Sequence, residues 1–321
     1  MDNLIPTKTI KENGVIAIKN GIKPNPNKHI PIERKPKWLR IKSQNSSKFR
    51  ELKEIVSHKK LHTVCEEAMC PNIQECWSHG TATFMLLGSV CTRACKFCAV
   101  DTGNPKGQID AKEPEKVANS IAQMNLKYAV LTSVNRDDLE DGGAMHFAQT
   151  VVSTKKEAPG VIIEALVPDF LGKRESIQTL LDSNVEVFAQ NLETVKRLTH
   201  QVRDHRAGYE QTLEVLAYAK KYSPKTISKT SLMLGLGESE DELLKSFNDI
   251  RSAGVDVLTL GQYMRPTINH LPVEKWYSPE EFLYMKNLAL DIGFKEVASG
   301  PLVRSSYRAD KIAHLIKDYF P

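Results

Sequence analysis

Cysteine is absent from most of this 321-residue chain: all six lie between residues 65 and 98. No apolar run approaches the roughly 20 residues that a helix needs to cross a bilayer. The opening stretch, MDNLIPTKTIKENG, has no apolar signal-peptide core. No arginine precedes Arg34, which argues against a mitochondrial transit peptide. With no secretion signal the expected location is the cytoplasm, where reduced thiols favour metal ligation over disulfides. The nine histidines are scattered without an H-E-x-x-H pair, so nothing supports a zinc hydrolase. G-L-G-E at 235–238 lacks the lysine of a P-loop and the spacing of a dinucleotide fingerprint. The basic N-terminal stretch is short and poor in aromatics, so no nucleic-acid partner is expected.

What is present is an ordinary globular composition, 41% apolar and 26% charged. The net charge of +5 is uneven. Residues 1–60 hold 15 Lys and Arg against 5 Asp and Glu. The bland reading of that stretch is a solvated tail; the functional one is a surface that steers an acidic partner. Residues 1–45 are expected to be extended or partly disordered, with Trp38 and Leu39 as the first anchor. Residues 46–80 form an N-terminal extension with a short helix over 46–61 and the first three cysteines. Residues 81–275 carry strand-like runs at 81–89, 128–134, 160–170, 185–193, 226–237 and 255–263. Segments of helical period lie at 114–125, 144–157, 174–183, 208–222 and 239–254. Continuous apolar strands alternating with amphipathic helices predict an α/β fold, a partial (β/α)6 barrel with helices outside. Residues 276–321 form a C-terminal helical extension. Its helix over 278–293 opens on a capping box, Ser278 with Glu281, and closes on Gly293.

The cysteines form two triplets. Cys65, Cys70 and Cys76 read C-x4-C-x5-C; Cys91, Cys95 and Cys98 read C-x3-C-x2-C. A closed structural site normally takes four protein ligands, and one with three keeps a position open for chemistry. Two such triplets suggest two iron–sulfur clusters, each with one iron completed by something other than cysteine. The alternative is structural zinc, which usually shows paired cysteines and a fourth ligand. The second triplet follows the first predicted strand, where a barrel places its working loops.

C-T-R-A-C-K-F-C at 91–98 resembles the cysteine signature of the radical S-adenosylmethionine superfamily. With the first triplet, the whole pattern resembles the lipoyl synthase family. The likeness runs through KPKWLRIK (35–42), EEAMCPNIQECW (66–77), SVNRDDLEDGGAMHF (133–147), NLETVKRL (191–198), VRDHRAGYEQTLEVL (202–216), LTLGQYMRPTINHLPV (258–273) and GPLVRSSYRAD (300–310). The chain departs from the family pattern at Asn135, Gln190 and Ser231, where Asp, His and Gly are usual. None of these removes a cluster ligand.

The resemblance implies two 4Fe–4S clusters and S-adenosylmethionine as cofactors. Cys91, Cys95 and Cys98 would hold the cluster whose open iron binds S-adenosylmethionine, and electron transfer would release a 5′-deoxyadenosyl radical. Cys65, Cys70, Cys76 and Ser306 would hold an auxiliary cluster that donates sulfur. Two sulfur atoms would enter at C6 and C8 of an octanoyl chain amide-linked to a carrier lysine. The carriers would be the lipoyl domains of 2-oxoacid dehydrogenase acyltransferase subunits and the glycine cleavage H protein. A reductant such as ferredoxin or flavodoxin and an iron–sulfur carrier protein would be further partners. Phe97 would pack near the adenine. Ser133 and Asn135 would lie near the methionine amino group, with Glu164, Asn191, Arg203 and Gln262 as candidates for the ribose or carboxylate. Arg304 would sit near the auxiliary cluster. Two alternatives stay open: another two-cluster radical enzyme, such as a tRNA methylthiotransferase, and a non-catalytic zinc-binding protein.

Overall fold

The computed structural model describes residues 7–11, 14–21, 29–40, 54, 63, 72–307 and 309–317. The helix expected over 46–61, apart from residue 54, lies outside the described residues, as do Cys65 and Cys70. The chain opens on a hairpin, β1 (Lys8–Ile10) and β2 (Ile16–Ile18). Helix α1 (Ile73–Ser78) leads into β3 (Thr81–Leu86). Two short strands, β4 (Val90–Cys91) and β5 (Asp101–Gly103), flank the second cysteine triplet. Then come α2 (Glu113–Gln123), β6 (Tyr128–Ser133), α3 (Ala144–Glu157), β7 (Ile162–Leu166), α4 (Arg174–Leu181) and β8 (Val187–Ala189). The series continues with α5 (Thr199–Val202), α6 (Tyr209–Tyr222), β9 (Ile227–Leu234), α7 (Glu240–Ser252) and β10 (Val257–Gln262). It ends with α8 (Pro279–Ile292), β11 (Glu296–Gly300) and α9 (Ala313–Lys317).

The main sheet has the order β3-β6-β7-β8-β9-β10-β11, with every pairing parallel. Each βα unit therefore adds the next strand, and the sheet curves into a partial barrel. All six predicted strands form. The seventh, β11, was not foreseen: its sequence EVASG is short and its burial incomplete. Phe84, Phe147, Phe188, Phe247 and Phe282 are fully buried in the large core cluster. A second cluster gathers the strand starts Tyr128, Val187, Ile227 and Val257 around Ala309, Ile312 and Ile316. The C-terminal segment thus closes the barrel at the strand N-termini and leaves the opposite end for the site.

Helix α8 carries the expected capping box, with Ser278 accepting from the Glu281 N–H, and Gly293 ends it in the left-handed region at φ 103°. Ser278→Ala removes that acceptor and should cost about 1 kcal/mol, read as a lower midpoint in thermal unfolding.

The N-terminal segment corrects one expectation. Anchoring begins before Trp38, which is 43% exposed: Val15 and Ala17 are buried against Val90. The hairpin joins β5 and β4 in a second sheet, ordered β1-β2-β5-β4. The contact is close, because a Cβ on Gly103 would lie 2.5 Å from the Ile16 carbonyl oxygen. Short, lysine-flanked strands that borrow their pairing from residues 101–103 give little local signal.

Candidate active site

Strand β4 delivers Cys91 just beyond the end of β3, and the loop 92–100 carries Cys95 and Cys98 back into β5. Nothing in this loop is helical or sheet-paired, so its shape depends on side chains from elsewhere. Arg93, between the first two cysteines, is buried at 4% exposure. Its Nη1 and Nη2 each donate to one oxygen of Asp169 at 2.7 Å, and its Nη2 and Nε donate to Asp137 at 2.8–3.2 Å. Asp137 follows β6 and Asp169 follows β7, so one guanidinium ties the loop to two neighbouring strand ends. Asp204 accepts from the Ala94 N–H at 3.0 Å, and its own N–H donates to Cys95 Sγ at 3.3 Å. Arg206 bridges Asp204 and Asp137 and donates to the Thr92 carbonyl at 2.7 Å. On the far side the Lys96 N–H donates to the Val202 carbonyl. The ring of His270, wholly buried, makes a 3.0 Å hydrogen bond to the Cys98 carbonyl. The Thr267 N–H donates to His270 Nδ1, which places the ring proton on Nε2, so His270 donates to Cys98.

The three thiols are pushed up by burial, Cys95 to about 12. Neighbouring thiolates add to the rise at Cys95 and Cys98. Buried in this way the thiols stay protonated, and metal ligation would take their protons and supply the positive charge that thiolates need. Among the described residues no three His, Cys, Asp or Glu side chains converge as ligands of one ion. The carboxylates have the opposite environment. Asp137 and Asp204 are held below the usual range by their arginine partners and hydrogen bonds, against the cost of burial. Their folded pKa values are depressed, so their contribution is complete above about pH 4 and is lost as pH falls through the folded values.

Ser133 Oγ at the end of β6 is buried without a partner among the described residues. So are both amide atoms of Gln190 and the Thr194 hydroxyl. An orphaned hydroxyl beside the cysteine loop suits a polar ligand. Asn135 is in reach, since its carbonyl accepts from the Thr92 N–H and hydroxyl. Phe97 packs on the main core. Asn191 donates to Glu193 at 3.1 Å. Glu193 sits in the left-handed region at φ 71°, its carboxyl pushed up by burial. Arg203 donates to Thr212 Oγ1 at 2.9 Å and reaches the Leu192 and Gly208 carbonyls.

Two of the expected ligand contacts have their polar atoms in bonds within the protein. Gln262 has its amide in internal bonds: Nε2 donates to the Leu234, Tyr263 and Lys275 carbonyls, and Oε1 accepts from the Tyr277 N–H. It fastens the loop after β10. Glu164, wholly buried in β7, takes Lys229 Nζ on both oxygens at 2.8 Å and the Tyr128 hydroxyl at 2.8 Å. It is an ion pair inside the barrel.

Cys76 and Ser306 are 230 positions apart, yet both line one small open pocket with Asn72, Thr83, Arg304 and Tyr307. Helix α1 holds the C-terminal turn there. Asn72 Nδ2 donates to the Leu302 carbonyl at 2.6 Å, and the Tyr307 hydroxyl donates to Glu75 at 3.1 Å. Arg304 donates to the Val303 and Gln262 carbonyls. The sequence reading missed Arg93, Asp137, Asp169, Asp204, Arg206 and His270. Their available signal was charge placed directly after apolar strands and inside the cysteine loop.

Residues 85–250 match the Radical SAM superfamily. The lipoyl synthase of Legionella pneumophila (strain Corby) is 60% identical over 299 residues, 93% of this chain and 91% of that protein. The lipoyl synthase of Thermus thermophilus is 58% identical over 283 residues, 88% of each chain. Among solved structures, Streptococcus suis SuiB bound to precursor peptide SuiA aligns with TM-score 0.54 at 9% identity. That alignment covers 85% of this chain and 58% of SuiB and is a likeness of fold alone.

Proposed function

Because the chain belongs to the lipoyl synthase family of radical S-adenosylmethionine enzymes, we propose that its two cysteine triplets divide that family's reaction between them. The family inserts two sulfur atoms at C6 and C8 of a protein-bound octanoyl-lysine, with S-adenosylmethionine and 4Fe–4S clusters as cofactors. Cys91, Cys95 and Cys98 hold the cluster that meets S-adenosylmethionine. Cys65, Cys70, Cys76 and Ser306 hold the cluster that gives up sulfur. When bound, the first cluster supplies the electron that cleaves S-adenosylmethionine and the second supplies the sulfur. The protein's own side chains do the rest. Arg93, Asp204 and His270 fix the loop from three sides. Ser133 and Asn135 present polar atoms at the end of β6, and Asn191 with Glu193 forms the opposite polar wall. Neither C6 nor C8 is acidic, so the protein needs no general base there; it must orient the chain and exclude water. A serine oxygen is a harder donor than thiolate, which suits a bond that opens when its cluster is consumed.

The observation that carries this reading is the meeting of Cys76 and Ser306 at one cavity. The carriers are lipoyl domains of 2-oxoacid dehydrogenase acyltransferases and the glycine cleavage H protein. A ferredoxin or flavodoxin supplies electrons, and an iron–sulfur carrier protein restores the consumed cluster. The expected location is the cytoplasm; among the described residues no helix is long and apolar enough to cross a membrane. Anaerobic iron and sulfide analysis with Mössbauer spectroscopy tests the division. About eight irons per chain should fall to about four when Cys65, Cys70 and Cys76 are all changed to Ala. S-adenosylmethionine cleavage should persist without lipoyl product. Zinc in place of iron, or one cluster in both proteins, would defeat it.

A further inference from the structure

We propose that the hairpin β1–β2 is the docking surface for the reductant, an acidic one-electron carrier protein; this rests on the assignment of Cys91 to the cluster that is reduced. Three observations meet at this hairpin. The first is a route. Cys91 pairs with Thr102, Thr102 with Ile18, and Ile18 with Lys8. That single cross-strand row runs from a cluster ligand to the outer strand in three steps, about 14 Å at ~4.8 Å per step. The route is tightly built: Lys11 pairs with Asp101 at 2.6 Å, and the Asn20 N–H donates to Asp101 at 2.8 Å.

The second is an apolar centre. Ile10 and Ile16 lie directly opposite each other and are 76% and 59% exposed. Ile10 is the most exposed large apolar side chain described, and β1 is an edge strand among the described residues. Natural edges are usually blunted, so an isoleucine pair held open there points to a partner. The third is charge. Every charged residue described between 7 and 21 is a lysine; Lys8 and Lys19 are exposed and Lys11 is already paired. The surface therefore fits an acidic partner. Its small area fits too, because transient redox encounters bury less than stable complexes. An octanoylated carrier has no need of a strand route to Cys91, whereas an electron donor does. The step balances simply: the carrier loses one electron and the cluster gains it, with no proton or bond exchanged.

The test uses the anaerobic holoenzyme with photoreduced flavodoxin as probe and dithionite as a small reductant that needs no docking. In stopped flow, the Ile10→Glu/Ile16→Glu double variant should accept electrons from flavodoxin roughly tenfold more slowly. Its reduction by dithionite and its affinity for an octanoylated lipoyl domain should match wild type. For the wild type, the flavodoxin reaction should slow as salt is raised. Equal flavodoxin rates in the two proteins, or a salt-independent wild-type rate, would overturn the proposal. A variant that loses affinity for the lipoyl domain while keeping its flavodoxin rate would overturn it as well, by giving the surface to the other partner. Full iron content and normal S-adenosylmethionine cleavage in a Cys91→Ala variant would overturn the Cys91 assignment itself, and the docking proposal with it.

Discussion

Arg93→Lys is expected to abolish most S-adenosylmethionine cleavage while leaving the auxiliary cluster in place. The substitution keeps the positive charge. It loses the planar fork that reaches Asp137 and Asp169 together. An ammonium is a point charge and cannot hold two carboxylates on separate strand ends in fixed geometry. Asp169 has a side-chain exposure of 1%, so whatever it loses leaves a charge buried and poorly paired. Removing one partner of such a pair costs about 3–5 kcal/mol. The cost falls on a loop with no secondary structure of its own, and so on the spacing of Cys91 and Cys95. The expected measurements are a loss of about half the iron, cleavage reduced at least tenfold, and a lower thermal midpoint. A variant that merely needed a cation beside the cluster would be rescued by lysine. Full iron content and normal cleavage in Arg93→Lys would show that charge, not geometry, is what Arg93 contributes.

That dependence explains where the sequence was legible. Six strands and six helices were readable because apolar period is a local property, written within a dozen residues. The α8 caps were readable for the same reason: Ser278, Glu281 and Gly293 act on their own helix. The cysteine triplets stood out because their spacing is the kind that metal ligands keep. The clamps around them did not. Arg93 meets partners 44 and 76 positions away, and His270 meets Cys98 across 172 positions. No local pattern says which carboxylate an arginine will find. Gln262 and Glu164 show the converse difficulty. Both are polar groups on apolar strands, which resembles a ligand contact, but each is satisfied by partners that only the folded barrel brings near. Strand β11 was missed because its residues are held by pairing with β10 rather than by their own burial.

Gly261→Ala should give the opposite phenotype to Arg93→Lys: cleavage preserved and product lost. Gly261 lies in β10, paired on one side with Met233 and on the other with Gly300. A Cβ there would stand 2.2 Å from the Val303 carbonyl oxygen and 3.1 Å from its carbon. Those are backbone atoms, so no side chain can swing aside; the turn itself must retreat by roughly 1 Å to reach ordinary contact. The strand is held from both sides and will not yield first. Val303 accepts from Arg304 at 2.7 Å and donates to the Gly300 carbonyl, so Arg304 and the following Ser306 move with it. The bonds from Asn72 to Leu302 and from Tyr307 to Glu75 oppose the shift, and their strain falls on α1, which carries Cys76. The cavity shared by Cys76 and Ser306 is thereby pulled apart. Overpacking of this size costs about 1–3 kcal/mol, too little to unfold a domain of this length. The Cys91–Cys98 loop touches none of these residues through any bond described above, so its cluster should reduce and cleave S-adenosylmethionine normally. Iron should fall toward half and lipoyl product at least tenfold, as with Ser306→Ala. Normal product from Gly261→Ala would mean that the turn bearing Ser306 can move without harm, and that the auxiliary cluster does not depend on its position.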